Sequence, residues 1–406
     1  MKKYFVSLFM LLFFTVSLTE GVFAENLKND LVIESGIVSN EVEEYAANNF
    51  QKKLFANLLV DAAKNEKELG EYTLGKGINM LNSYENSSER TILFPVYFEN
   101  KVVYTYLIKK ASDGSVSDNL SDALVDEFNK LFDSIDDKTK IKFIQKDYDI
   151  LYSLNDSENY QTFFKSNLKR TDNDGETISE EISDVENTVD IEQTELIDTD
   201  EVIIIEDSSE ELLSKTNSSL SRSFSNGYNY SMVDLKVYQN QSQVNNGQNE
   251  WCMGFALAGI VNSMRNKNEV QAADVMKYVY PNNTGEKYYM NGGINSLDVI
   301  NYSKNKLGMN PYYVDRPLTL SEIRNELNVG SPAFVFSKVN YDTNSKYDYH
   351  ALVVHGWVNI EPGLDVLYIW NPWWSHTSCV DGGVKSPVLP FVGGQFTWQT
   401  SIRGFR

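Results

Sequence analysis

The stretch from Thr171 to Leu212 carries 17 acidic residues and neither Lys nor Arg. A segment of that composition cannot bury enough apolar surface to offset the entropy of ordering it, so it predicts a solvated, disordered linker. The 406-residue chain is thereby divided into two blocks, each of which must fold around its own core. One exception inside the segment is Val202-Ile203-Ile204-Ile205, β-branched enough to dock as a short strand. The run from Ser208 to Asn226, rich in Ser and Asn, reads as an exposed and protease-sensitive connector.

The net charge of -21 follows the same division. From Leu220 onward there are 15 basic and 14 acidic residues, leaving 21 basic and 43 acidic residues to the rest of the chain. With no basic stripe in either part, nucleic acid is excluded as a partner. At the start of the chain, Lys2 and Lys3 precede an apolar run from Tyr4 to Leu18, and Val22-Phe23-Ala24 supplies small residues where a signal peptidase cuts. Residues 1–24 therefore read as a signal peptide, too short and wrongly flanked for a membrane span. The expected product is secreted and extracellular, with no stable membrane insertion.

Residues 25–170 read as a small α+β domain, and 171–220 as the linker with a maturation site. In the first, Ser39-Asn40-Glu41-Val42-Glu43 marks a helix start. Ile92 to Phe98 and Val102 to Ile108 flank Glu99-Asn100-Lys101 as a hairpin. A second helix is predicted over Leu120 to Ile135, and strand character returns from Ile141 to Leu154. This block holds no Cys and no His, so it offers no thiol nucleophile or imidazole base, and no catalytic constellation is read in it.

Residues 221–406 change character, with Trp, Tyr, Gly and Asn rising as charge falls. Helices are predicted from Cys252, over Ala272 to Tyr278, Ser296 to Lys306 and Ser321 to Leu327. Strands follow over Ala333 to Val339, Tyr349 to Ile360 and Asp365 to Trp370. Helices first and antiparallel strands after describe an α+β domain with a site between the two halves.

Cys252 opens the first of these helices, in Asn249-Glu250-Trp251-Cys252-Met253-Gly254-Phe255. A helix N-terminus favours a thiolate over a thiol, which makes Cys252 a candidate nucleophile. A buried structural cysteine and a disulfide to Cys379 are the competing readings, and Cys379 has no assigned role. A chain of this size can bury a core without staples, which weighs against the disulfide.

The three histidines are His350, His355 and His376. Strand alternation puts His350 and His355 on opposite faces, and Asn371 shares the parity of His350 across the turn at Pro362-Gly363. A hairpin symmetric about that turn sets His350 and Asn371 four residues apart, so a bulge or an asymmetric turn must close the gap. Given that shift, His350 would take the thiol proton and the Asn371 carboxamide would hold its far nitrogen. His355 is expected to make a polar contact elsewhere, and His376 to sit in a surface loop. No metal or cofactor is implied.

The segments "NEWCMGFALAGIVNS", "VMKYVYPN", "YHALVVHG", "LYIWNPW" and "FTWQTSIRG" resemble the staphopain family of papain-like cysteine peptidases. The resemblance covers about 180 residues and implies a papain-like fold, a Cys252, His350, Asn371 triad, and an endopeptidase made as a zymogen. It implies protein or peptide substrates, the N-terminal block as intramolecular inhibitor, and a possible proteinaceous inhibitor as further partner. Trp373 matches the tryptophan that shields the Asn-His contact in that family. The family's oxyanion glutamine lies six residues before the cysteine, where this chain has Asn246; Gln248 is then the expected donor, with Asn246 the alternative. Two other readings stay open: a cell-wall peptidoglycan amidase or endopeptidase, and a secreted binding protein with a vestigial site.

Overall fold

The computed structural model describes residues 32–165, 202–203, 222–223 and 229–406, with breaks at 35, 37, 64–71, 83–89, 111–113, 137–138, 147–148, 156, 342–346, 362–363, 383–386 and 393. The predicted leader at 1–24, and the linker apart from 202–203, lie outside the described residues.

In the N-terminal block, helix α1 (Asn40–Ala63) starts at the predicted signal. Strands β1 (Tyr72–Leu74), β2 (Arg90–Phe98), β3 (Lys101–Lys110) and β4 (Val116–Ser121) follow. The predicted hairpin is β2–β3, and its Glu99 and Asn100 both take left-handed φ, as a tight two-residue turn requires. The expected helix from Leu120 is shorter: α2 is Val125–Ser134, and residues up to Ser121 are strand. Leu120 has a partner on each side, Tyr106 in β3 and Cys379 beyond it, and left-handed Leu124 interrupts the backbone before the helix. Strands β5 (Lys140–Lys146) and β6 (Asp149–Leu154) form a hairpin in a smaller five-stranded sheet. The β-branched exception in the acidic segment does dock, as β7 (Val202–Ile203) against β1.

The C-terminal block opens with β8 (Asn229–Met232), then α3 (Cys252–Arg265), α4 (Ala272–Val279) and α5 (Ser296–Leu307). After β9 (Tyr312–Val314) and α6 (Leu320–Asn328) come β10 (Ala333–Tyr341), β11 (Tyr347–Glu361), β12 (Leu364–Trp370), β13 (Thr377–Asp381), β14 (Val388–Phe391) and β15 (Gly394–Arg403). Every predicted helix and strand of this block is present within a few residues, and β8, β9 and β13 to β15 are additions. The class is α+β, with a large antiparallel sheet and several helices, compatible with a papain-like domain.

Among the described residues one sheet runs β7-β1-β2-β3-β4-β13-β12-β11-β10-β15-β9, antiparallel at every step. Along β11 the alternation of side chains divides the core in two. Ala351 and Val353 face α3, α4 and α5, while Leu352 and Val354 join Ile323 and Leu327 of α6 on the other face.

Helix α3 is buried on all sides, with every residue from Met253 to Ser263 enclosed. It is therefore the central element of its layer rather than a surface helix. Its two buried polar residues are satisfied: Asn262 donates to the Val270 carbonyl and accepts from the Glu269 and Val270 amides, and Ser263 donates to the Gly259 carbonyl. Gly259 lets the fully buried Trp370 ring lie against the helix; a Cβ there would stand 2.6 Å from Trp370 Cζ3. Gly259→Ala is therefore expected to cost about 1–3 kcal/mol through forced displacement of Trp370, read as a fall of several degrees in the thermal unfolding midpoint. An unchanged midpoint would show that the ring moves aside freely.

Candidate active site

Cys252 is the first residue of α3, and the segment before it is held by ring contacts and backbone bonds. Trp251 is 2 % exposed, donates from Nε1 to the Tyr288 carbonyl, and lies between Tyr288 and Tyr289 at 4.8 and 5.5 Å between ring centres. The Glu250 amide donates to the Tyr289 carbonyl at 3.0 Å. Cys252 itself is half-buried, and backbone amides of Ala351 and Met253 donate toward its sulfur. The thiol thus lies beside the residue that follows His350 in β11. Neither Cys252 nor Cys379 is in a disulfide.

The two bulges that bring His350 to Asn371 lie between β11 and β12. From Glu361 opposite Leu364, the register slips once near Ile360 and again at His355, so that Val353 stands opposite Trp370. Each slip moves β12 one residue toward His350, which halves the four-residue offset; Asn371 lies in the turn just past the end of β12, and from there its Oδ1 stands 2.7 Å from His350 Nε2. The amide of Trp373, which can only donate, also bonds to Asn371 Oδ1 at 2.9 Å. The oxygen therefore faces His350, so Nε2 must carry the proton and donate, which leaves Nδ1 as the basic nitrogen. Trp373 covers this contact at 4.2 Å from the imidazole, with Phe396 at 5.2 Å on the ring as well.

His355 bonds the Val233 carbonyl at 3.1 Å and Thr377 Oγ1 at 3.0 Å. His376 is not in an open loop: its ring stacks on Trp374 at 5.1 Å and its Nδ1 is 3.7 Å from Asp122 of the N-terminal block. Among the described residues, no group of three or more His, Cys, Asp or Glu side chains could hold a metal ion. Among them also, no helix is long and apolar enough to cross a membrane.

Both amides expected to face the thiol, Gln248 and Asn246, are exposed. The buried amide is Gln241, 4 % exposed, which sequence counting passes over because it lies eleven residues before Cys252. Its backbone amide donates to the Pro372 carbonyl at 2.7 Å, next to Asn371, and its side-chain Nε2 donates to the Asn249 carbonyl at 2.6 Å. Asn249 returns a bond to the Gln241 carbonyl and accepts from the Trp251 amide. Three successive left-handed residues, Asn245, Asn246 and Gly247, fold the intervening loop back on itself. The Asn-Asn-Gly run is the sequence signal for that reversal.

Electrostatics reverse one expectation. The helix start predicts a lowered thiol pKa, but burial pushes Cys252 up to about 11, with Glu250 adding and the amides of Ala351 and Met253 opposing. Burial likewise takes His350 down to about 3, against the bond it donates to Asn371. Burial thus disfavours the charged form of each group.

Residues 226–405 match the family model described as staphopain peptidase C47. Over these residues the chain is similar to the staphopain family. Staphopain A of Staphylococcus aureus strain Mu50 is 27 % identical over 183 residues, covering 45 % of this chain and 46 % of that protein. A second Staphylococcus aureus staphopain A is 29 % identical over 184 residues, with the same shares covered. An extracellular cysteine protease of Staphylococcus epidermidis is 27 % identical over 160 residues, 39 % of this chain and 90 % of that protein. The chain spans about half the length of the staphopain A relatives it matches.

In the intact chain, alkylation of Cys252 by iodoacetamide, followed on its own peptide by mass spectrometry, is expected to be slow at pH 7. It should climb steadily toward pH 11, because only the thiolate reacts. A rate that levels off below pH 8 would mean that the site holds a thiolate at rest.

Proposed function

We propose that this chain is a secreted cysteine endopeptidase made as a zymogen, which hydrolyses protein substrates through Cys252, His350 and Asn371. The observation that carries the reading is the 2.7 Å contact of His350 with Asn371, together with a thiol that begins a buried helix and lies by the Ala351 amide, one residue on from His350. The printed name of the Staphylococcus epidermidis relative, an extracellular cysteine protease, supports both the activity and the compartment. The predicted leader over residues 1–24 supports export, and the 171–220 segment supplies the maturation site.

In the proposed reaction the Cys252 proton passes to His350 Nδ1 as sulfur attacks the peptide carbonyl. The C–N bond then breaks, and His350 returns that proton to the leaving amine. Water, deprotonated by the same imidazole, hydrolyses the thioester and restores the thiol. Asn371 keeps the imidazole in the tautomer with Nδ1 basic, and Trp373 screens their bond from water. The amide donating to the oxyanion is assigned to Gln241 rather than Gln248 or Asn246, since it alone of the three is buried and tied to the Asn371 loop. The N-terminal block restrains the site until it is removed.

Reduced full-length protein, incubated beside Cys252→Ala, should shorten toward the C-terminal block and digest casein while the variant stays intact and inert. If both remain intact and the trimmed C-terminal block is still inert under reduction, the peptidase reading falls. Gln241→Ala is expected to lower kcat about 10²- to 10³-fold with KM little changed, and Gln248→Ala to match the parent. The reverse pattern would return the oxyanion role to Gln248.

A further inference from the structure

The acidic segment separates the two blocks in sequence, but one sheet passes through both. Strand β4 lies beside β13, with Leu120 opposite Cys379. Above this seam, helix α1 crosses onto the C-terminal block. The Cys379 thiol donates to Asn57 Oδ1 at 3.1 Å, and the Tyr368 hydroxyl donates to the Ala56 carbonyl. Ala56 shares an apolar cluster with Val358, Val366, Tyr368 and Cys379.

Lys53 is the most telling residue at the seam. Its side chain is 2 % exposed, and its ammonium lies 2.9 Å from Asp118 of its own block and 2.8 Å from Asp381 at the end of β13. Burial works against its charge, yet the two carboxylates prevail and hold its pKa above the ordinary lysine value. A buried ammonium that loses one of two carboxylates is left under-compensated, which is costly.

None of these contacts depends on the covalent connection. Val202–Ile203 pairs with β1 in the N-terminal block, and Arg222–Ser223 pairs with β8 in the C-terminal block. A cut between 204 and 221 therefore breaks no described strand pair. It removes only the effective concentration a tether supplies, typically in the millimolar range. Separation, by contrast, would open an unpaired strand edge along β13, uncover Cys379 and Tyr368, and remove Asp381 from Lys53.

We propose that the N-terminal block stays seated on the β13 edge as a noncovalent subunit after the connection is cut, with the Lys53–Asp381 pair as its lock. The proposal goes beyond the peptidase reading and is tested without it.

The full chain carrying Cys252→Ala, which leaves Cys379 as its one thiol, is nicked with a glutamate-specific protease, for which Glu206, Glu210 and Glu211 lie between residues 204 and 221. Mass spectrometry confirms that the cut lies in the connection. The nicked protein is then run on size exclusion at micromolar concentration and treated with Ellman's reagent. Co-elution of the two fragments, with Cys379 unreactive until denaturant is added, is the expected result. Fragments that separate at that concentration, or a Cys379 that reacts at the rate of a free thiol, would overturn retention. Asp381→Asn, at a side chain 42 % exposed, should leave the uncut chain folded. On dilution after nicking, its fragments should part at roughly tenfold higher concentration than those of the parent. Equal retention in this variant would remove the lock from Lys53 and Asp381.

Discussion

The seating of α3 against β11 and β12 is the constraint on which the rest depends. The helix is enclosed from Met253 to Ser263, and its Phe255, Leu257, Ile260 and Val261 are each fully or nearly fully buried. At about 1.5–3 kcal/mol for each large apolar side chain, this burial outweighs any preference of the loop before it. The N-terminus of α3 is thereby delivered to one place beside β11. Gly259 is the concession that makes the fit possible, because Trp370 takes the space its side chain would need. Trp370 in turn ends β12 one residue before Asn371, and its indole donates to the Trp374 carbonyl in the loop that covers His350. One helix thus fixes the thiol directly and the carboxamide through a single buried ring.

The site lies where two core layers meet. Cys252 belongs to the layer of α3, and the His350 ring lies against Trp373 and Phe396 of the layer on the other face. The ladder with β12 stops at Val353, so on that side of β11 backbone amides become free to donate; Ala351, still paired with Phe336 of β10, does so toward the sulfur. Burial of both partners favours their neutral forms, so charge separation belongs to the moment of attack rather than to the resting chain.

Much of this was legible in the residues. The apolar spacing after Cys252 marks α3, Pro362-Gly363 marks the turn between β11 and β12, and parity pairs His350 with Asn371 rather than leaving it to His355. The distance between them was not legible, because strand counting cannot see the slips at His355 and near Ile360 that halve the four-residue offset, nor the turn after Trp370 that takes up the rest. Gln241 was missed for a related reason: three left-handed residues shorten a loop in space without shortening it in sequence. Leu120 and Ser121 fall in the predicted helix, although both pair with β3, because the left-handed residue that separates β4 from α2 is Leu124, which carries no turn signal in the sequence.

The amino-acid sequence by itself determined the local matters: the secondary structure of the C-terminal block, the division of charge, and the residue types able to carry thiol chemistry. These follow from periodicity, turn chemistry and composition, which act over a few residues. Tertiary structure decided the rest, including the sign of the Cys252 shift, the burial of Gln241, and the use of Cys379 and Lys53 at a seam between blocks that composition separates. Those outcomes depend on desolvation and on strand pairing between distant segments, and both come into being only when the chain is folded.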